Sequence, residues 1–336
     1  MKKSALTRHL TLVSALCLTA LSAQAQSTVT AYGLLDLSVG STKAPGGTST
    51  TAVDSGKMTT SFIGFGGSED LGGGLSAVFK MEGFLRVDTG DQGRFTGDTT
   101  WARTASVGLS HKQYGTLTAG RNTTALFVST LLFNAFGDSF GYSPSIRHYF
   151  VGAPSIVSGD TGWSDSLAYS SPTISGFRFG AAMATKANNA TTSNGGNWSM
   201  NLGYGSGPLS ASVVIQDVKK DLETGPHPDT RTVQLGGAYD FGVAKGFLQY
   251  GEVKNNTTGN SYDITGIGAR VPVGTGAVLV QWGQIAPKTG ADRQTLSVGY
   301  SHALSKRTDA YVATMYDKVD NLSSGGGYSV GLRHRF

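Results

Sequence analysis

Charged side chains recur on one face of several segments whose other face is apolar. Lys80, Glu82 and Arg86 alternate with apolar neighbours, and Arg178 lies opposite Phe179. Fixed charges of both signs on one polar surface create a field that orients ions and dipolar solutes without making or breaking bonds. The alternative is a set of solvated rim charges with little effect.

The histidines and the cysteine of the chain offer little for catalysis or metal binding. His9 and Cys17 fall in a leader at residues 1–25, and the other histidines lie near predicted turn ends, on an apolar face or in loops. A nucleophile needs a base within hydrogen-bond reach, and no serine, histidine and acid share one rim. Without a paired histidine spacing or a mature cysteine, the sequence predicts no enzyme, no cofactor and no metal site.

The elements that must position these charges are β-strands. Apolar and polar residues exchange at every position in roughly sixteen segments of about ten residues, the length of a tilted membrane-spanning strand. Clear examples lie at residues 29–39, 75–82, 198–204, 233–241 and 296–301. Two different solvents on the two faces of each strand would produce this pattern.

The connections between the segments are of two alternating kinds. Short ones are rich in glycine, as at 72–74, 205–208 and 274–276, and long ones are polar, as at 42–57 and 88–100. Short periplasmic turns and longer extracellular loops alternate in this way in a transmembrane antiparallel barrel.

One connection, from about residue 122 to 162, breaks the pattern because it is long and its middle is apolar. It contains Ala125-Leu126-Phe127-Val128 and Leu131-Leu132-Phe133. A loop folded into a barrel lumen would have this character, with Asp138 at its centre as a negative group and Arg147 following. A plug or a subunit contact without selectivity is the alternative.

The N-terminus has the features of a secretory signal peptide. Met1-Lys2-Lys3 precedes a short apolar stretch at 10–21 and the small-residue cleavage motif Ala23-Gln24-Ala25. The apolar stretch is too short to span a membrane. We therefore expect a signal peptide at 1–25 and a single domain at 26–336.

The last segment alternates perfectly and stops on an aromatic residue. One face carries Tyr328, Val330, Leu332, His334 and Phe336. This arrangement resembles the C-terminal strand of outer-membrane barrels, which the assembly machinery recognises. An edge strand of a soluble sandwich is the alternative.

Composition agrees with an ordered, exported β-protein. Glycine is frequent, at 48 of 336 residues, but 10% aromatic residues and the long alternating runs oppose disorder. The net charge of +5 includes the basic leader, so the remainder is too small to suggest nucleic acid.

Seven short segments carry a family resemblance through their order and spacing. They are TAYGLLD at 30–36, GSEDLGGGL at 67–75, VGLS at 107–110, GTLTAGR at 115–121, YSSP at 169–172, SGF at 175–177 and VGLRHRF at 330–336. Together they resemble Gram-negative general porins, in particular the betaproteobacterial trimeric type, over nearly all of the mature chain.

The resemblance implies an all-β transmembrane antiparallel barrel of about sixteen strands. Its third extracellular loop, at about 122–162, would fold inward and narrow a water-filled channel for ions and small hydrophilic solutes. Arg103 and Arg121 match family arginines near the constriction. Their parity along the strands places them with apolar neighbours, so we expect them where the strands bend at the loop ends. The implied partners are two further copies in a homotrimer, outer-membrane lipid and lipopolysaccharide, and the barrel-assembly machinery through Phe336.

The second strand departs from the family pattern. It reads Ser61-Phe62-Ile63-Gly64-Phe65-Gly66-Gly67, with Phe62 and Gly66 at positions where arginines are usual. Ala168 replaces a basic residue that is common before Tyr169. We therefore expect a weaker anion preference than in such porins, with Phe62 in the constriction.

Two other functions stay open at this point. A channel for one particular organic solute would fit apolar lumen surface from Leu34, Phe62 and Phe84. A structural barrel or an adhesin would usually have larger loops.

Overall fold

A computed structural model of the chain describes residues 28–151, 158–185, 196–219 and 228–336. The predicted signal peptide at 1–25 lies outside these residues, as does part of the predicted long loop at 122–162. No described helix is long and apolar enough to cross a membrane.

In the described residues, eighteen strands form one sheet in which neighbours are antiparallel. They are β1 (Thr28–Lys43), β2 (Ser49–Ser55), β3 (Phe62–Gly72), β4 (Leu75–Arg86), β5 (Asp91–Gln92), β6 (Thr104–His111), β7 (Gly115–Thr123), β8 (Gly162–Ser170), β9 (Phe177–Ala184), β10 (Asn197–Ser206), β11 (Leu209–Val218), β12 (Thr230–Asp240), β13 (Lys245–Asn255), β14 (Ser261–Val273), β15 (Gly276–Pro287), β16 (Arg293–Ala303), β17 (Thr308–Val319) and β18 (Gly325–Arg335).

The sheet closes into a barrel with sixteen strand positions around its wall, which confirms the predicted all-β antiparallel barrel of about sixteen strands. β2 and β3 together occupy one strand position, because β2 pairs with the C-terminal part of β1 and β3 pairs with its N-terminal part. The two-residue β5 pairs only with the end of β4 and does not count as a separate position. β18 pairs with β1, and the backbone N–H and C=O of Phe336 bond Gly33 at 3.2 and 3.1 Å.

The two faces of the barrel wall have different side chains, as the alternation predicted. On β12, β13 and β15 the inward Gln234, Gln249 and Gln281 are fully buried, whereas the outward Leu235 and Leu248 are about half exposed. Buried polar groups inside and exposed apolar groups outside are the reverse of a soluble protein and suit a lipid surrounding.

The break between β2 and β3 is held by a carboxylate of β1. Asp36 Oδ2 accepts hydrogen bonds from the backbone N–H groups of Met58 and Thr59, both at 2.7 Å, and Oδ1 accepts from Tyr311 Oη at 2.8 Å. The side chain therefore replaces ladder bonds that the strand gives up there.

The described part of the long connection after β7 contains two short helices, α1 (Ala125–Leu132) and α2 (Pro144–Phe150). The hydroxyls of Thr124 and Ser143 cap their first turns, and Pro144 fits at the start of α2 because it needs no N–H bond there. The sequence pattern did not predict these helices.

Apolar side chains of this connection pack against the inward face of the wall. Leu126, Phe127, Ile146 and Tyr149 form one cluster with Val214, Val253, Ile264 and Ile285. The wall has glycines where the connection approaches most closely: a Cβ at Gly283 would lie 2.7 Å from Pro144 Cβ, and one at Gly266 would lie 2.8 Å from Ser145 Oγ. Gly236 and Gly251 similarly leave room for Phe133 and Tyr149.

Candidate functional site

A space of about 570 Å³ lies inside the barrel between the wall and the centre of the long connection. Phe62 of β3 and Arg103, just before β6, line one side, and Asp138 lines the other. Three of the residues singled out in the sequence therefore border one space.

Glu82 organises the positive side of this space. Lys80 Nζ lies 3.4 Å from Glu82 Oε1, and Arg103 Nε lies 3.0 Å from Oε2. Tyr32 donates a hydrogen bond to Oε1 at 2.8 Å. The Glu82 side chain is 5% exposed, whereas that of Lys80 is 52% exposed. Two cations thus share one buried carboxylate, which leaves a positive excess on the polar face.

Phe62 is a support for Arg103 as much as an apolar wall residue. The Arg103 guanidinium carbon lies 4.3 Å from the centre of the Phe62 ring, and Tyr32 meets that ring edge-on. This is cation–π geometry, which orients the guanidinium. Leu34 and Phe84 are almost fully buried, so they add little apolar surface to the lumen.

A hydroxyl just before β3 ties Asp138 to the barrel wall. Thr59 Oγ1 donates to Asp138 Oδ1 at 3.2 Å and accepts from Arg333 Nη1 at 3.0 Å. Arg333 also donates to Asp309 Oδ2, and Arg335 donates to Asp309 Oδ1 at 3.1 Å. The negative group of the connection therefore has basic residues of β18 nearby.

Arg270, Arg333 and Arg335 were not among the predicted site residues, although all three line this space. The alternation that selected Lys80 would also have found them, because each lies at an inward position of its strand. Arg270 is exposed and makes no ion pair with any described residue.

Arg86 and Arg121 lie elsewhere. Arg86 pairs with Asp91 at 3.2 Å where β4 meets β5. Arg121 is buried and pairs with Asp160 at 2.7 Å, and Arg94 binds the same carboxylate. Burial alone would raise the pKa of Asp160, but the two guanidinium groups hold that pKa below its usual value.

Arg147 of α2 belongs to a polar cluster beneath the long connection. It lies 3.4 Å from Asp317 Oδ2, which Arg293 holds at 2.6 Å. Next to it, burial lowers the pKa of His148 to about 3, and Arg293 adds to the effect. An ordinary histidine becomes protonated below about pH 6.5. His148 therefore stays neutral in mildly acidic solution, where an ordinary histidine would be charged.

Arg178 lines a second space, of about 620 Å³, between α1 and the inward faces of β7 to β11. Ala168, which replaces a usual basic residue, lines the same space. The two spaces thus differ in charge, and the structure separates Arg178 from the Lys80–Arg103 face.

The described residues offer no group of three or more histidine, cysteine, aspartate or glutamate side chains that could hold a metal ion. Carboxylates of the charged space are each occupied by a basic or hydroxyl partner. The arrangement of fixed charges suits electrostatic guidance of solutes.

Comparisons with known proteins identify relatives that cover most of the chain. The family model described as Gram-negative porin matches residues 12–322. The chain is 32% identical to outer membrane porin protein 32 of Delftia acidovorans, over 94% of this chain and 95% of that protein. It is 28% identical to an outer membrane porin protein of Bordetella pertussis, over 94% and 96% of the two chains.

Solved structures show the same fold. The anion-selective porin from Comamonas acidovorans matches with a TM-score of 0.79 and 27% identity, covering 92% of this chain and all of that one. The trimer form of OmpT from Vibrio cholerae matches with a TM-score of 0.68 at 15% identity, over 92% and 99% of the two chains.

Proposed function

The chain belongs to the Gram-negative porin family and forms a channel in the outer membrane, and from this membership we propose that ions and small hydrophilic solutes cross it by passive diffusion past the described part of the connection after β7. The charged space between Arg103 and Asp138 carries the proposal, because it lies between the connection and the barrel wall. No cofactor or catalytic step is needed. Stepwise conductance in planar bilayers tests it, and purified protein that inserts without conducting would contradict it.

The charged space has a positive excess, which supports a modest anion preference. The basic residues that line it outnumber the acidic residues that line it or pair with them: Arg103, Arg270, Arg333 and Arg335 against Glu82, Asp138 and Asp309. The Comamonas porin is described as anion-selective. Because Phe62, Gly66 and Ala168 stand where arginines or other basic residues are usual, we propose a weaker preference here.

Phe62→Arg is expected to shift the reversal potential toward anions by on the order of 10 mV in a tenfold salt gradient. At an effective dielectric constant of about 20, a unit charge about 7 Å from a passing anion changes its energy by about 2 kcal/mol before screening. The shift should be larger at low salt, where the Debye length is longer. Single-channel recordings measure it.

Phe62→Leu is the matched control, since it removes the ring beneath Arg103 without adding charge. Its reversal potential should change much less than that of Phe62→Arg. An unchanged reversal potential for Phe62→Arg at low salt would show that this position does not face the ion path.

We propose a homotrimer, the assembly that the resemblance implies and in which the Vibrio cholerae OmpT has been solved. The exposed apolar outer faces of the strands leave surface for both lipid and subunit contact. The native mass in mild detergent tests this proposal, and the mass of a single chain would exclude it.

The outer surface also supports the proposed contact with lipopolysaccharide. Arg231 of β12 and Lys254 of β13 lie directly opposite each other on the outward face, near the end that carries the long loops. Like charges in such a cross-strand pair repel, and neither forms an ion pair with a described residue. Phosphate groups of the outer-leaflet lipid would neutralise them at the headgroup level.

Replacing Arg231 and Lys254 together by glutamine should lower the amount of lipopolysaccharide that co-purifies with the protein, by about half or more, because two charge-assisted contacts are lost. The matched control replaces Lys306 and Arg307, two exposed basic residues of the short turn between β16 and β17. Equal lipopolysaccharide content in both double variants would remove the support for this contact.

We also propose that the barrel-assembly machinery recognises β18 through Phe336. The Phe336 ring lies over Gly33, where an added Cβ would come within 2.6 Å of Phe336 Cζ, and it is 43% exposed. The ring therefore remains accessible while its backbone joins the closing pair of strands.

A further inference from the structure

The second space inside the barrel is separate in chemistry from the charged one. It has a volume of about 620 Å³, within the range of sites that hold small organic ligands. Hydroxyl, amide and small side chains line its wall, among them Thr116, Thr118, Asn201 and Ser212.

Arg178 is the one charged side chain among the described residues that line this space. Its guanidinium donates to Thr173 Oγ1 at 3.2 Å, and it makes no ion pair with any described residue. The side chain is exposed and lines the space, so its guanidinium is accessible to a solute there. A single cation on an otherwise neutral wall can neutralise one carboxylate through charge-assisted hydrogen bonds.

The opposite side of the space is apolar. Val128 and Leu132 lie one helical turn apart on α1, and they are 39% and 54% exposed although the helix lies inside the barrel. The other face of α1 is buried, with Leu126 and Phe127 in the apolar cluster beneath it. Apolar side chains facing water in a lumen gain by contact with an apolar solute.

We propose that this space binds small apolar monocarboxylates, with the carboxylate on Arg178 and the apolar body against Val128 and Leu132. The proposal rests on the channel function and names a solute class for one sector of the same lumen. Neutral analogues would lose the bond to Arg178, and short hydrophilic anions would lose the contact with α1. Benzoate has both features, acetate lacks the apolar body, and benzamide lacks the charge.

The test uses the full protein in planar bilayers with potassium chloride on both sides. Benzoate should interrupt the current transiently at concentrations where acetate and benzamide do not. Blocking by benzamide as strong as by benzoate would overturn the proposal, and so would the absence of any benzoate effect. A protein with no chloride conductance at all would instead contradict the channel function itself.

Arg178→Gln should lower the apparent affinity for benzoate by about tenfold, as expected for loss of one charge-assisted hydrogen bond. Leu132→Ser should lower it by about threefold through loss of apolar contact. Arg307→Gln is the matched control, because Arg307 is also exposed at the short-turn rim but lines neither space. If Arg178→Gln and Leu132→Ser both keep the wild-type affinity, the proposed site is wrong.

Discussion

Gly236→Leu is expected to reduce single-channel conductance by roughly a factor of two, because conduction depends on the dimensions of the narrowest part of a pore. A Cβ at Gly236 would overlap the ring of Phe133 at the end of α1. The added side chain must push the connection away from the wall and into the lumen.

The connection should move locally rather than leave the barrel. Overpacking typically costs about 1–3 kcal/mol, and each hydrogen bond to the wall contributes about 1 kcal/mol. The bonds that tie the connection to the wall include Ser129 to Ser212, Thr130 to Gln234, Ala135 to Gln281, Tyr142 to Ser329 and His148 to Thr295. Together they exceed the strain of one leucine.

Gly237→Leu provides a control at the adjacent residue. Gly237 faces outward, and a Cβ there would meet nothing within 4 Å. The same substitution on the lipid side should leave conductance unchanged. Equal conductance in the two variants would show that Phe133 does not pack on Gly236 in the membrane, and a rise for Gly236→Leu would show that the connection undocks.

Phe336→Ala is expected to lower the amount of protein in the outer membrane by about tenfold. The folded barrel itself should tolerate the change, because removing one partly exposed ring costs only about 1–3 kcal/mol. A large loss in cells would therefore reflect failed recognition during assembly. Fractionation of the outer membrane, with an antibody against the protein, measures it.

Refolding from urea into detergent separates recognition from stability. Phe336→Ala should refold about as well as the wild type, since no assembly machinery is present. Phe241→Ala serves as the control in cells, because Phe241 is an exposed aromatic residue in the short turn between β12 and β13. Normal outer-membrane levels of Phe336→Ala would exclude a role for the ring in recognition.

The strands could be predicted from the sequence because the barrel wall separates two solvents. Each residue of β12 or β16 faces either lipid or the lumen, so burial and polarity follow the twofold period of the strand. Short turns and long loops then fix which end is which. The predicted apolar connection also corresponds to a segment with its own packed cluster.

The partners of the charged residues could not be predicted in this way. The pairing between β7 and β8 shifts register between Gly120 and Asn122, so the parity rule fails for Arg121. Arg103 lies just before β6, where no strand period applies, and it turns toward Glu82. Whether a basic residue adds net charge to a pore depends on carboxylates such as Glu82, which are close in space but separated in the sequence.

The glycines beneath the long connection make the wall and the connection unequal in their tolerance of change. Gly251, Gly266 and Gly283 define a docking surface by lacking side chains, so almost any larger residue there would interfere with packing. A substitution in α1 or α2 changes only the contacts of that residue with this glycine surface of the wall. The bore of such a channel could therefore diversify, by natural drift or by loop grafting, while the barrel that houses it stays the same.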